Sequence, residues 1–278
     1  MTRTRFFAIV LFILFFTSCT EQHTDQYANE TNDASLAKII VKNELSVGVD
    51  PSIPPLSFYS STGKLVGYEV DIAQKIADRL GVKLKLVPVT GENRIEHLES
   101  RAIDYIASGF LNTPESAEQF SLTIPYLRDA LVVVVSESVA GGTPFKHFSD
   151  LRNKRIGILS DDAIVSIVNK SPLYRDNARA PYLYPRLEKL LIALDYGQLE
   201  AVVMNLLTYY SKITKEKKPY RVIDNPLIIG TYSYALRKED RQLTGVLNAL
   251  LTDMSEEAEL KAIAVKWFGA DVSIVGKY

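Results

Sequence analysis

Apolar and polar positions along the chain fall into distinct rhythms. Residues 6–16, FFAIVLFILFF, are apolar without interruption, and Arg3 and Arg5 stand before them. A bilayer-spanning helix needs roughly 20 such residues, so this run is too short to cross. A charged start, a short apolar stretch and small residues at its end have the form of a secretory signal, predicted over residues 1–18. The next stretch, TEQHTDQYANETNDAS, is polar and nearly free of aliphatic residues. It cannot bury enough apolar surface to fold, which predicts a flexible tether over residues 19–35.

From Leu36 the rhythm becomes globular. LSVGVD (45–50) and VKLKLVPV (82–89) are short, β-branched-rich runs that predict strands. Between them, Val70, Ile72, Ala73, Ile76, Ala77 and Leu80 fall at helical spacing, and Gly81 ends the pattern. Strand, helix, strand in this order predicts a parallel sheet with a right-handed crossover. Two later segments resemble each other: LESRAIDYIA (98–107) and LDYGQLEAVV (194–203). Each reads as a helix end, a tight turn, an acid and a strand. The recurrence, about a hundred residues apart, is too long for a solenoid and predicts two similar α/β lobes. Leu131–Val135 and Tyr232–Leu236 are candidate strands at the crossings between them. The first lobe then comprises residues 36–128 plus 231–278, and the second, 129–230, is inserted within it.

Charge and cysteine change the picture at the edges. The 278 residues carry a formal net charge of −1 with scattered basic positions, and a nucleic-acid surface needs a basic stripe. Cys19 is the only cysteine and directly follows the apolar run. Phe16-Thr17-Ser18-Cys19 resembles the bacterial lipobox, which implies a lipid on Cys19 and attachment to a membrane from the periplasm or cell surface. No GxSxG, HExxH, P-loop or GxGxxG motif occurs, and His23, His97 and His147 lie far apart. The KEKK run at 215–218 reads as a solvated face. In NTPES (112–116), Thr113 has the form of a helix N-cap, with Pro114 at the first helical position and Glu115 in the first turn. Such a helix start can hold an anion, yet no Arg or Lys is near it. Asp50, Ser108-Gly109 and Asn205 are each polar or small just after an apolar strand pattern, as site residues or as turn and cap residues.

LSVGVDPSIPPLSF (45–58), GKLVGYEVDIAQKIADRLG (63–81), IDYIASG (103–109), NTPES, FSLTIPY (120–126), FSDLRNKRIGIL (148–159), LDYGQLEAVV and KWFG (266–269) together resemble the family-3 extracellular solute-binding proteins, in that family's order. The resemblance implies a type II periplasmic-binding-protein fold: α/β, with two doubly wound lobes joined by two hinge crossings and closing on a solute. It implies a monomeric receptor that captures a small polar solute, amino-acid-like or a cationic amine, for an ABC permease, without a metal or other cofactor. The ligand-binding residues it implies are Asp50, Ile53, Ser108, Gly109, Phe110, Ser116, Asp161, Asp162 and Asn205.

At several of these positions the chain departs from the family's amino-acid signature. Ser116 stands where an arginine normally forks onto the ligand's carboxylate, which a hydroxyl cannot reproduce. Asp161-Asp162 replaces a Gly-Thr turn, Asn205 replaces the acid that pairs with the ligand's ammonium, Ile53 and Leu56 replace aromatics, and Leu111 replaces a hydroxyl residue. Arg101 stands at a turn glycine remote from the cleft. The acids retained predict a cationic or neutral solute. The same fold also serves cyclohexadienyl dehydratases, whose substrates are anionic, and sensor or accessory lobes, so both remain as alternative readings.

Overall fold

The structure, a computed structural model, describes residues 33–137, 145–160, 162–175, 179–214 and 218–275. The predicted signal, Cys19, most of the predicted tether, Asp161 and residues 215–217 lie outside these. The end of the predicted tether does not hang free: the Asp33 carboxylate accepts the N–H groups of Ser35 (2.9 Å) and Gln242 (2.6 Å). Helix α1 (Ser35–Lys42) begins there.

The chain continues through β1 (Glu44–Val49), a small antiparallel sheet of β2 (Ser52–Ile53), β3 (Ser57–Tyr59) and β4 (Leu65–Val66), then α2 (Tyr68–Leu80), β5 (Lys83–Pro88), α3 (Arg94–Glu99) and β6 (Tyr105–Ile106). Helix α4 (Pro114–Gln119), β7 (Ser121–Leu122) and the long β8 (Leu127–Ser136) follow. The second half holds β9 (Ile156–Leu159), α5 (Asp162–Lys170), α6 (Pro172–Arg175), β10 (Tyr182–Tyr184), α7 (Leu187–Asp195), β11 (Ala201–Asn205) and α8 (Leu206–Thr208). Strand β12 (Tyr220–Tyr232), β13 (Ala235–Leu236), α9 (Arg241–Glu256) and α10 (Glu259–Phe268) complete it.

Two five-stranded sheets result, with orders β5-β1-β6-β13-β7 and β10-β9-β11-β8-β12. Their strand directions match position by position. β5, β1, β6 and β7 run one way and β13 alone runs against them; β10, β9, β11 and β12 run one way and β8 alone runs against them. The expected β1–α2–β5 crossover is therefore present, and the two recurring segments end in β6 and β11, equivalent strands of the two sheets.

Burial explains the sequence rhythms. Ile72, Ala73, Ile76 and Ala77 of α2 are fully buried against β1, and Gly81 caps the helix with φ +69°. Ala130, Val132 and Val134 of β8 face one cluster with α7, while Leu131, Val133 and Val135 face another with β9. A strand covered on both faces has no polar alternation, hence the unbroken LVVVV. KWFG docks on the start of α2: Asp71 Oδ2 accepts from Trp267 Nε1 and Lys266 Nζ, both at 2.7 Å, and Phe268 packs edge-on against Tyr68.

The strand expected over Tyr232–Leu236 is broken in two. Tyr232 ends β12 in the second sheet, and only Ala235–Leu236 joins the first. Between them the Ser233 N–H donates to the Phe110 carbonyl (3.0 Å) and the Tyr234 N–H to Thr123 Oγ1 (2.9 Å). The chain is changing sheets here, so its backbone bonds to a loop instead of a ladder.

Candidate functional site

The C-terminal ends of β1 and β6 are tied together by one hydroxyl. Ser108, 1% exposed, accepts the Asp50 N–H at 2.5 Å and donates to the Ala107 carbonyl at 2.6 Å. Asp50 Oδ1 in turn accepts the N–H and hydroxyl of Ser52, at 2.9 and 2.6 Å. The Gly109 N–H points inward, to Glu69 Oε1 at 2.9 Å, and Phe110 is buried edge-on against Phe120. The hydroxyl of Ser108, the N–H of Gly109 and the ring of Phe110 are thus engaged inside the protein. Ile53 is half-buried on β2, packed at the edge of the main core.

Glu69 is the centre of this end. It is fully buried, and Oε1 also accepts the Tyr126 hydroxyl, while Oε2 has no partner among the described residues. Burial pushes its carboxyl up to about 7, with Asp50 adding to the rise and the bonds from Tyr126 and Gly109 opposing it. Around it Tyr126 stacks on Tyr234, with centroids 4.3 Å apart, and the buried hydroxyls of Tyr68, Tyr105 and Tyr234 have no hydrogen-bond partner among the described residues.

Arg94, on α3, places its guanidinium 4.9 Å above the Phe110 ring. Among the described residues its acceptor is the Ser108 carbonyl at 3.5 Å, and Nε is buried without a partner. Burial lowers its pKa, and the field of Asp50 opposes that. A guanidinium with five donors and one long hydrogen bond has capacity for an acceptor.

At NTPES the predicted cap is present. Thr113 Oγ1 accepts the Ser116 N–H at 3.2 Å, Pro114 occupies the first turn, and the Thr113 hydroxyl also reaches Ser116 Oγ at 3.2 Å. The turn holds its own backbone, and the half-buried Ser116 contributes only a hydroxyl.

Across the crossings, the half-buried Asn205 donates from Nδ2 to Asp129 Oδ2 at 2.9 Å. Asp129, at the start of β8, also takes the Tyr232 hydroxyl (3.3 Å) and the N–H groups of Ala130 (2.8 Å) and Leu207 (3.2 Å). Tyr232 links the two groups of residues. It bonds Asp129, its hydroxyl pKa is raised by burial and by the charges of Asp129 and Glu69, and its ring lies beside Gly109. Asp162 opens α5, whereas Asp161 lies outside the described residues.

Glu69, Arg94, Asp129 and Tyr232 escaped the sequence reading. Glu69 left a signal: 69, 72, 73 and 76 share one helical face, so an acid sits on the apolar stripe. Asp129 left none, because both faces of β8 are buried and periodicity there is silent.

The sequence profile of the bacterial extracellular solute-binding proteins, family 3, matches residues 45–270. The L-cystine-binding protein TcyJ of Escherichia coli K12 is 26% identical over 244 residues, covering 87% of this chain and 89% of its own length. A polar amino acid ABC uptake transporter substrate-binding protein from Streptococcus thermophilus superposes with a TM-score of 0.77 at 20% identity, covering 89% of this chain and 93% of that one. Tv2483, whose crystal structure holds L-arginine, superposes at 0.65 with 28% identity, covering 88% and 99%. The fold is that of the type II periplasmic binding proteins.

Proposed function

The chain belongs to the bacterial extracellular solute-binding proteins of family 3, and from that premise we propose that it captures an amino-acid-like solute bearing a positive charge. The solute enters between the lobes, 36–128 plus 231–278 and 129–230, which close on it and present it to an ABC permease. One observation carries the choice of charge. Among the described residues, Asp50 and Asp129 stand at the strand ends, and the Arg94 guanidinium lies in the field of Asp50. Carboxylates around a desolvating cleft favour a cation, and water exclusion strengthens the preference. Arg94 replaces Ser116 as the donor for an anionic end of the solute. Asp50, Ile53, Ser116 and Asn205 line the site in this reading, and Ser108, Gly109 and Phe110 shape it from behind. The reading is one of capture without chemistry, because a polar solute is selected by exchanging its water shell for fixed donors and acceptors.

A thermal-shift screen of amino acids and amines tests it. A ligand at a hundred times its Kd adds about 2.7 kcal/mol of stability, and basic amino acids are expected to give the largest shifts. A response confined to glutamate and aspartate would overturn the choice of charge. The lone Cys19 after its apolar run supports attachment to a membrane by lipid. Wild-type protein found wholly in the soluble fraction would remove that part.

A further inference from the structure

Asn205 ends β11 and stands at the N-cap of α8, where an asparagine ordinarily turns its oxygen back onto the free N–H groups of the first turn. Here it makes no such cap. The Leu207 N–H goes to Asp129 Oδ1 at 3.2 Å, and Asn205 Nδ2 donates to Asp129 Oδ2 at 2.9 Å. Asp129 has taken over the capping, and with the amide nitrogen turned to a carboxylate, Asn205 Oδ1 is left uncommitted among the described residues. A carboxylate only accepts, so no flipped amide satisfies this contact.

Asp129 is 6% exposed and receives four donors, two from backbone and two from neutral side chains. No Lys, Arg or His nitrogen lies within 4.0 Å of it among the described residues. Neutral donors solvate a buried carboxylate without cancelling its charge, so its field persists in the low-dielectric surroundings. The bond from Nδ2 also polarises the amide and makes Oδ1 a stronger acceptor.

We propose that Asp129 is the anionic determinant of the ligand site, acting through Asn205. Asp129 fixes the amide so that Oδ1 receives the solute's ammonium group, and it supplies the negative charge that the neutral Asn205 lacks. The acid expected at position 205 has in effect moved to the neighbouring strand, where Asn205 pairs with Leu131 in the ladder. Asp129 is a positioning and charge-supplying residue, buried behind the group that touches the solute. This rests on the receptor reading above and names the group of the solute that the site selects.

The test compares L-arginine and L-histidine with their Nα-acetyl forms by calorimetry, since acetylation removes only the α-ammonium charge. Wild-type protein is expected to prefer the free amines by tenfold or more. Asp129→Asn keeps one oxygen acceptor but turns an NH2 onto donors, so it should bring the ratio close to one and lower the ligand-free Tm as well. Adding Asn205→Asp to that variant should restore the preference, whereas a merely structural role for Asp129 would weaken the free and acetylated forms alike in the single variant and leave their ratio unmoved. Asn205→Leu, which keeps Asp129 and removes Oδ1, should lower the ratio if Asp129→Asn does not fold. A ratio unmoved by Asp129→Asn or by Asn205→Leu, or a double variant without restored preference, overturns the proposal alone. Wild-type protein that binds none of the four probes overturns the receptor reading and the proposal with it.

Discussion

The recurring segments before β6 and β11 are one device built twice. In the first, the N–H of Arg101 bonds the Leu98 carbonyl, and those of Ala102 and Ile103 bond that of His97. In the second, the N–H of Gly197 bonds Leu194, and those of Gln198 and Leu199 bond Ala193. The turn residue is left-handed in both, at φ +61° for Arg101 and +66° for Gly197, so the arginine occupies a conformation that suits glycine. The acid that follows clamps the neighbouring strand. Asp104 accepts the Ser46 N–H and Glu200 the Arg155 N–H, each at 2.7 Å. The residue before the acid lies over a glycine of the adjacent strand, Ile103 over Gly48 of β1 and Leu199 over Gly157 of β9.

The two copies differ in how their charges are treated. Arg237, 8% exposed, donates Nη1 to the Leu98 and Ile103 carbonyls and pairs with the buried Asp240. In the second copy the half-exposed Arg155 reaches the Gly197 carbonyl at 2.9 Å and forks onto Glu200. Burial raises the Asp104 carboxyl against its bonds and nearby cations, whereas Arg155 holds Glu200 low despite partial burial. The same backbone therefore sits on a buried polar interior in one lobe and on a solvent-facing ion pair in the other. Equal geometry does not imply equal energetics.

The largest break in that symmetry is expected at Arg237. Arg237→Met leaves Asp240 buried without its partner, and removing one member of a buried pair costs about 3–5 kcal/mol. Arg155→Met removes a pair open to solvent and should cost clearly less. Chemical denaturation of the two variants compares them, and equal losses would erase the distinction.

The next effect is in pH. Glu69 has a folded pKa of about 7 against an ordinary value of 4.5. Its contribution to stability is complete below about 4.5 and is lost as pH rises through 7, by about 3 kcal/mol for a shift of this size. Glu200 has the opposite sign: its folded pKa is depressed, so its contribution is present above the ordinary value and lost as pH falls. Glu69→Gln should flatten the loss between pH 5 and 8, and Glu200→Gln should flatten only the acid limb. Denaturation midpoints across that range check the first and midpoints below the ordinary carboxylate value check the second, and a wild-type midpoint that rises from pH 5 to 8 would contradict the first.

The smallest effect sharpens the glycine contacts. A Cβ on Gly157 would overlap Leu199 Cδ1 and stand 2.6 Å from Leu190 Cδ1, whereas one on Gly48 meets only Ile103 Cδ1 that closely, also at 2.6 Å. Overpacking of this kind costs about 1–3 kcal/mol. Gly157→Ala should lie higher in that range than Gly48→Ala, and thermal melts that reverse the order would show that the first lobe is the less yielding.

Local periodicity was enough to determine β1, α2, β5, the cap at Thr113 and the recurring turn, because each depends on residues within a few positions of one another. It also marked Leu131–Val135 as a strand, whose burial on both faces only the structure shows. The sequence did not show that Tyr232–Leu236 divides between two sheets, since both halves have the same composition and only the partner backbones differ. Nor did it reveal what became of the polar groups that follow the strands. Ser108 and Gly109 are drawn inward by Asp50 and Glu69, residues 58 and 40 positions away, and Asn205 is turned by Asp129 across 76 positions. A hydrogen bond between distant segments leaves no period in the chain. The elements were therefore local properties of the sequence, whereas the commitments of the groups at the candidate site were decided only when the two sheets met.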